Sequence, residues 1–363
     1  MIKFRVVALS INKIEMNKIF SLLLIIICIS CESSKNSLRD VFVVSKELQA
    51  QQVEFEIDSI QNPFLMRYVN GKLVVCNVFT SSLITVFDWK TGRYIMDFGD
   101  KGLGPNEFVN FNTMSVLGDK LGVYDNNKRE FLFLSLNDSA SISYTTIKMD
   151  EDDGIIPFNI YALAENLFLA TGLIKKGRFA LFNNEGVSMG TFGEYPKPDV
   201  TNIASYTENA FAYQALIAYQ SNKKKLAVGN QFGEGISFYN MNNTLHPQLL
   251  KEYIMNPPHY IDTSKGDMKS VTFQKDNICG FVDIGASEKY CIGLFLGQAR
   301  VKGEEWRGGD KLLIFDWNGN PVKEICLPQK YLQMSISEDK IILLGNDPKT
   351  IDFVVHTIDL SEI

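Results

Sequence analysis

The stretch "NGKLVVCN", residues 70–77, sets the reading of the whole chain. Asn-Gly is turn chemistry, and Lys72 with the apolar run behind it reads as the strand leaving that turn. The arrangement returns as "GDKLGVYD" (118–125), "AENLFLAT" (164–171), "NKKKLAVGN" (222–230), "SEKYCIGLFLG" (287–297) and "EDKIILLGN" (338–346). Measured from Leu73, Leu121, Leu167, Leu226, Cys291 and Ile341, the steps are 48, 46, 59, 65 and 50 residues. A recurring element at such a period marks a repeat architecture.

Other elements recur around it. After each copy comes an alternating strand ending in an acid or amide, from "LITVFDWKTG" (83–92) to "VVHTIDL" (354–360). A third strand follows in five copies, as in "YIMDFG" (94–99) and "VKEICLP" (322–328), and an apolar strand precedes each copy, as in "PFLMRYV" (63–69). No long amphipathic helix interrupts them, so the class is all-β. Six units of four antiparallel strands predict a six-bladed β-propeller over residues 50–363. Two stacked sandwiches would fit six copies in register poorly. The sixth unit ends after its third strand, and "QQVEFEI" (51–57) stands spare before the first. This N-terminal strand is expected to complete the last blade and close the ring, removing an exposed sheet edge.

The first residues read as an address. "MNKIFSLLLIIICISC", Met16 to Cys31, has a basic start, a short apolar run and a small residue before Cys31. This is a signal peptide pattern, too short for a comfortable membrane span. A second Met upstream of a complete signal suggests that residues 1–15 are a mis-assigned start. "CISC" resembles a bacterial lipobox with Cys28 where Leu is usual. Lipidation of Cys31 would then anchor the mature chain, the alternative being plain signal cleavage. Residues 31–49 read as the lipidated terminus and a polar tether.

The net charge is −6, and removing residues 1–30 takes four basic residues against one acid. Beyond Lys223-Lys224-Lys225 no basic cluster occurs, so nucleic acid is not an expected partner. Cys76, Cys279, Cys291 and Cys326 lie in apolar, strand-like stretches and read as small buried residues. His246, His259 and His356 form no zinc or iron pattern. "DEDDG" (150–154) fails the spacing of an EF-hand and reads as a solvated acidic turn. No nucleophile elbow is present. No metal, cofactor or catalytic set is expected.

"DFGDKGLGPNEF", 97–108, invites a phosphate reading, but it lacks the Gly-Lys-Ser/Thr of a Walker loop and opens no helix. It reads as the joint between the first two blades, with Gly99, Gly102, Gly104 and Pro105 shaping the turn and Phe108 packing between blades. The signal with Cys31, the six units and this segment together resemble the TolB-like six-bladed propeller lipoproteins of Bacteroidetes. Members often carry Phe-Gly, a spacer, then Gly-x-Gly-Pro-Gly-Glu-Phe; here Asn106 stands at the last glycine. The resemblance implies the fold and the envelope address, and no common activity.

In a propeller, interblade linkers and the loops joining second to third strands share one face. The long stretches 194–214, 256–270 and 297–311 should crowd that face with the 97–108 joint. Lys101, Asn106, Glu107, Tyr206, Tyr213, His259, Tyr260, Arg300, Glu304, Glu305, Trp306 and Arg307 are therefore the candidate binding residues. The expected function is an envelope-anchored binding module for a protein, peptide or glycan. The alternative is an envelope hydrolase or lyase using Asp/Glu chemistry at the channel mouth.

Overall fold

The structure, a computed structural model, describes residues 36–56, 60–78, 80–136, 142–149, 154–196, 206–266, 268–299 and 308–363. Blade one is β3 (Pro63–Val69), β4 (Lys72–Asn77), β5 (Ser82–Asp88) and β6 (Tyr94–Asp100), paired in that order. Blade two is β7 (Phe111–Leu117), β8 (Lys120–Asp125), β9 (Glu130–Leu136) and β10 (Ile142–Lys148). Blade three is β11 (Ile155–Ala164), β12 (Leu167–Ile174), β13 (Phe179–Phe182) and β14 (Ser188–Phe192). Blade four is β15 (Ala215–Gln220), β16 (Lys225–Asn230), β17 (Glu234–Asn240) and β18 (Gln248–Asn256). Blade five runs β21 (Ile278–Ala286), β22 (Tyr290–Ala299), β23 (Gly309–Asp316) and the first half of β24 (Pro321–Ile336). Blade six runs the second half of β24, β25 (Lys340–Asn346) and β26 (Phe353–Asp359). The six sequence copies are the second strands: β4, β8, β12, β16, β22 and β25.

Those second strands are apolar throughout because each is sandwiched. Successive side chains of a strand point to opposite faces. Leu73 and Val75 face the core shared with blade six, together with Ile342, Leu344 and Val355. Val74 and Cys76 face the core shared with blade two, together with Leu121, Val123 and Leu132. Cores of the same kind join blades two and three, three and four, four and five, and five and six. All four cysteines of the propeller are free thiols, Cys76, Cys279 and Cys291 being buried.

Two departures from the sequence reading have clear causes. "VKEICLP" and "YLQMSIS" form one 16-residue strand, β24, with no linker between blades five and six. Pro328 lies in the irregularity of the β23–β24 ladder between the Cys326–Lys311 and Tyr331–Gly309 pairs, before β24 meets β25 at Tyr331, so it forfeits no ladder bond. The spare strand 51–57 is also shorter than read. Gln51–Val53 (β2) pairs antiparallel with β26. Residues 54–56 then lie against blade one, where Glu56 N–H donates to Gly92 O at 2.8 Å and Phe55 packs on Phe87 and Trp89.

The stretch read as a polar tether is packed from Ser37 onward. A single 3-10 turn, Leu38–Val41, is capped by Ser37. It buries Leu38 and Val41 in the core between blades four and five. Arg39 grips Glu324 with Nε at 2.8 Å and Nη2 at 2.6 Å. β1 (Ser45–Glu47) then adds a parallel fifth strand to the outer edge of blade five. Leu38 stands among polar residues and Val41 opens only the four-residue apolar run Val41–Val44, a signal too short for a strand period or a helix.

At the axis, Arg67 of blade one meets Asp283 of blade five through Nη1 at 2.9 Å and Nη2 at 3.1 Å. The same guanidinium donates to Met66 O (2.6 Å), Met114 O (3.1 Å) and Met334 O (3.3 Å), in blades one, two and six. Arg67 lines a cavity of about 280 Å³ on the axis. Tyr161, which donates to Ala215 O at 3.2 Å, lines both that cavity and a larger one beyond it.

Two predictions follow from these ties. Removing one member of a buried ion pair strands the other. Asp283→Ala should therefore cost about 3–5 kcal/mol in urea unfolding, and Arg67→Met/Asp283→Leu should recover most of it. Arg39→Met should cost about 1–2 kcal/mol at pH 7, since Arg39 is partly exposed. Burial pushes the Glu324 carboxyl up, but the Arg39 hydrogen bonds and charge outweigh it and hold it below its usual value. The lowered group stabilises above the usual carboxylate range and loses that contribution as pH falls through its folded value. The gap between Arg39→Met and the parent should accordingly narrow below about pH 4.

Candidate functional site

One face of the ring gathers the starts of the inner strands and the turns between second and third strands. The larger cavity, about 400 Å³, opens there. Phe64, Asn112, Asn159 and Ala215, from the inner strands of blades one to four, form its inner wall. Asn126, Gly172, Arg178 and Gln231, at or near the ends of second strands, form its rim. A helix in the linker between blades three and four, α1 (Tyr206–Ala212), supplies Ala210 and Phe211, and Tyr195 and Tyr213 flank the helix.

Arg178 is the unusual group. It follows Gly177 in the turn between β12 and β13, and its N–H donates to Phe192 O and Gly193 O. Only 2% of it is exposed. Nη2 donates to Asn230 Oδ1 at 2.6 Å, whereas Nε and Nη1 are buried with no partner among the described residues. The guanidinium lies 5.2, 5.7 and 5.9 Å from the rings of Phe179, Tyr195 and Tyr213, within cation–π range. Burial pushes its pKa down, and Tyr239, Tyr195, Glu252 and Tyr213 oppose that through space. Arginine stays protonated in proteins all the same. Burial pushes the Tyr195 phenol up to about 12 and raises Tyr213 as well, so neither is a phenolate counterion. Glu252, which acts on Arg178 through space, accepts from Ser237 Oγ at 2.8 Å.

The remaining lining is amide and aromatic. Asn112, Asn126, Asn159, Gln214 and Gln231 present side-chain amides, and Asn126 Oδ1 is buried without a partner among the described residues. Phe158 and Phe211 stack at 5.2 Å, tilted by 32°. Groups of this kind offer hydrogen bonds and ring faces. Among the described residues no cluster of His, Cys, Asp and Glu is placed to hold a metal ion.

The expected binding residues divide. Tyr213 lines the cavity. Tyr260 touches its outer wall, with Oη 3.4 Å from Asn209 Oδ1 of α1. It belongs to a hairpin in the next linker, β19 (Tyr260–Asp262) and β20 (Val271–Phe273), whose Phe273 stacks on Phe232 at 3.9 Å. Tyr206 is exposed on α1, and His259 turns outward to Asp276, 2.7 Å away. Lys101, Asn106 and Glu107 are not in the lining. Arg300, Glu304, Glu305, Trp306, Arg307 and Cys31 lie outside the described residues.

Glu107 serves its own loop. Its carboxylate accepts from Gly104 N–H at 2.7 Å and occupies the space where a side chain on Gly102 or Gly104 would go. Asn106 takes a positive φ of 63° beside it. Lys128 Nζ binds Gly104 O and Glu107 O, both at 3.2 Å, tying the loop to blade two. Phe108 is fully buried between blades one and two, against Phe111 and the bare Cα of Gly99, whose φ is +78°.

Arg178, Asn126, Asn230, Phe158 and Tyr195 were not legible as site residues. Arg178 reads as an ordinary base in "KKGRFALF". Its place in a second-to-third-strand turn was the one available signal.

Comparison with known proteins agrees with the architecture. A protein of the DUF4221 family from Bacteroides vulgatus superposes with a TM-score of 0.53 at 13% identity, covering 87% of this chain and 97% of its own. A Bacteroides fragilis protein named as exported superposes with a TM-score of 0.55 at 10% identity, covering 87% and 98%. Among curated proteins none matches the sequence. The family described as TolB-like 6-blade propeller-like matches residues 42–339, and the chain belongs to it.

Proposed function

We propose that this protein is an envelope-anchored binding module, lipidated at Cys31, that takes a small ligand or a protruding group of a partner into the cavity on its linker face. The observation that carries the reading is the composition of that cavity. A guanidinium, five amides and a set of ring faces converge on about 400 Å³ of recessed space, within the size range of small-molecule sites. Such groups orient and hold a ligand through directed hydrogen bonds and stacking. The walls are built on strand ends and on linkers that touch each other, so the site is preformed and loses little ordering entropy on binding. The signal pattern ending at Cys31 and the exported relative support the envelope address.

The test is ligand retention. The purified protein is dialysed against soluble envelope extracts, and what it retains is identified by mass spectrometry. A retained molecule should bind at least tenfold more weakly to Phe211→Ala and to Gln214→Ala, two changes at the cavity wall. Retention of nothing, or equal retention by both variants, would refute the site. Conversion of the retained molecule would replace the binding reading with the hydrolase or lyase one.

A further inference from the structure

The state of Arg178 narrows the ligand class. Removing a guanidinium from water costs several kcal/mol unless charge and hydrogen bonds replace the water. Arg67 and Arg39 obey that rule: each holds a carboxylate at two points. Arg178 is 2% exposed, and among the described residues no carboxylate is hydrogen-bonded to it. One amide oxygen and three ring faces stabilise it in part, while Nε and Nη1 have no acceptor among the described residues. A second orphan, Asn126 Oδ1, lines the same cavity and lacks a donor. The site thus lacks one anionic acceptor and one O–H or N–H donor, and it offers amides and ring faces for what lies between them.

We propose that the cavity binds an acidic sugar, with the carboxylate of a uronic-acid unit on Arg178, a hydroxyl donated to Asn126 Oδ1, and the sugar face against the aromatic wall. A planar carboxylate matches the fork of an arginine better than it matches an ammonium. The surplus of amides favours a hydroxyl-rich ligand over a peptide C-terminus, whose neighbouring groups would be apolar or backbone. This inference rests on the binding reading of the same cavity and goes beyond it in naming the charge and class of the ligand.

The experiment is calorimetric titration of the purified protein with glucuronate, galacturonate and their dimers. The controls are glucose, galactose and a short peptide with a free or amidated C-terminus. The acidic sugars should bind at least tenfold more tightly than their neutral counterparts. Arg178→Met should lose that preference while urea unfolding shows stability equal to or above the parent, because an unpaired buried charge has been removed. Asn126→Leu, which keeps Arg178, should weaken the acidic sugars without abolishing the charge preference. Equal binding of neutral and acidic sugars would overturn the acidic-sugar assignment and leave the binding cavity standing. So would tighter binding of the free-carboxylate peptide. Absence of binding by any probe, with Arg178→Met strongly destabilised, would assign Arg178 to structure and overturn the inference.

Discussion

One guanidinium on the ring axis fixes the geometry on which everything else rests. Arg67 leaves the inner strand of blade one and reaches Asp283 across the ring in blade five, and it also bonds carbonyls of blades two and six. Asp283 in turn accepts from Met334 N–H at 3.2 Å. A propeller must hold its blades at a fixed tilt without a continuous sheet around the ring. The cores between blades are apolar and non-directional. They set distance better than rotation. The axial pair is directional, and because Asp283 is buried and Arg67 largely shielded it tolerates little displacement before charge is left unpaired. Tyr161, one layer beyond, separates the axial cavity from the larger one, so the inner wall of the candidate site is built on the same tie.

The two deeply placed arginines differ in a way that separates structure from function. Arg67 has acceptors for all its nitrogens, and a fully satisfied buried network makes a rigid joint. Among the described residues Arg178 has an acceptor for one side-chain nitrogen of three. A folded chain that keeps such a group carries an energetic cost that its own contacts do not offset. Costs of this kind concentrate where a ligand completes the set.

Much of the fold was legible because the physics of a sandwiched strand is local. A strand buried on both faces must be apolar at consecutive positions, and "KLVVC" and "KIILL" announce themselves without reference to partners. The hairpin turns that flank them are equally local. The N-terminal strap was hidden because Leu38 and Val41 make sense only against Phe238 and Phe315, some two hundred residues or more away. The union of blades five and six in β24 was hidden because Pro328 reads as a break, although its position demands no hydrogen bond. Tyr213 could be picked out by its place in a long linker. Arg178 could not, because what distinguishes it is that two of its three nitrogens find no acceptor among the described residues, which is visible only in the folded ring.

The segment most distinctive of the family turns out to be architectural. Gly102 and Gly104 are bare because the Glu107 carboxylate fills the space above them, and Gly99 is bare because Phe108 rests on it. Gly99, Gly102, Gly104, Glu107 and Phe108 are all engaged in the joint between blade one and blade two. A motif of this kind fixes where the inner strand of blade two begins, and hence where Asn112 stands. It says nothing of what the cavity accepts. Under the proposed function, ligand choice would fall instead to single positions in turns and linkers, such as Arg178, Asn126 and Tyr195, which the repeat leaves free to differ from blade to blade. Proteins sharing the ring and its joint can therefore hold unlike groups at the mouth, and likeness of fold at 10–13% identity carries no ligand from one to another.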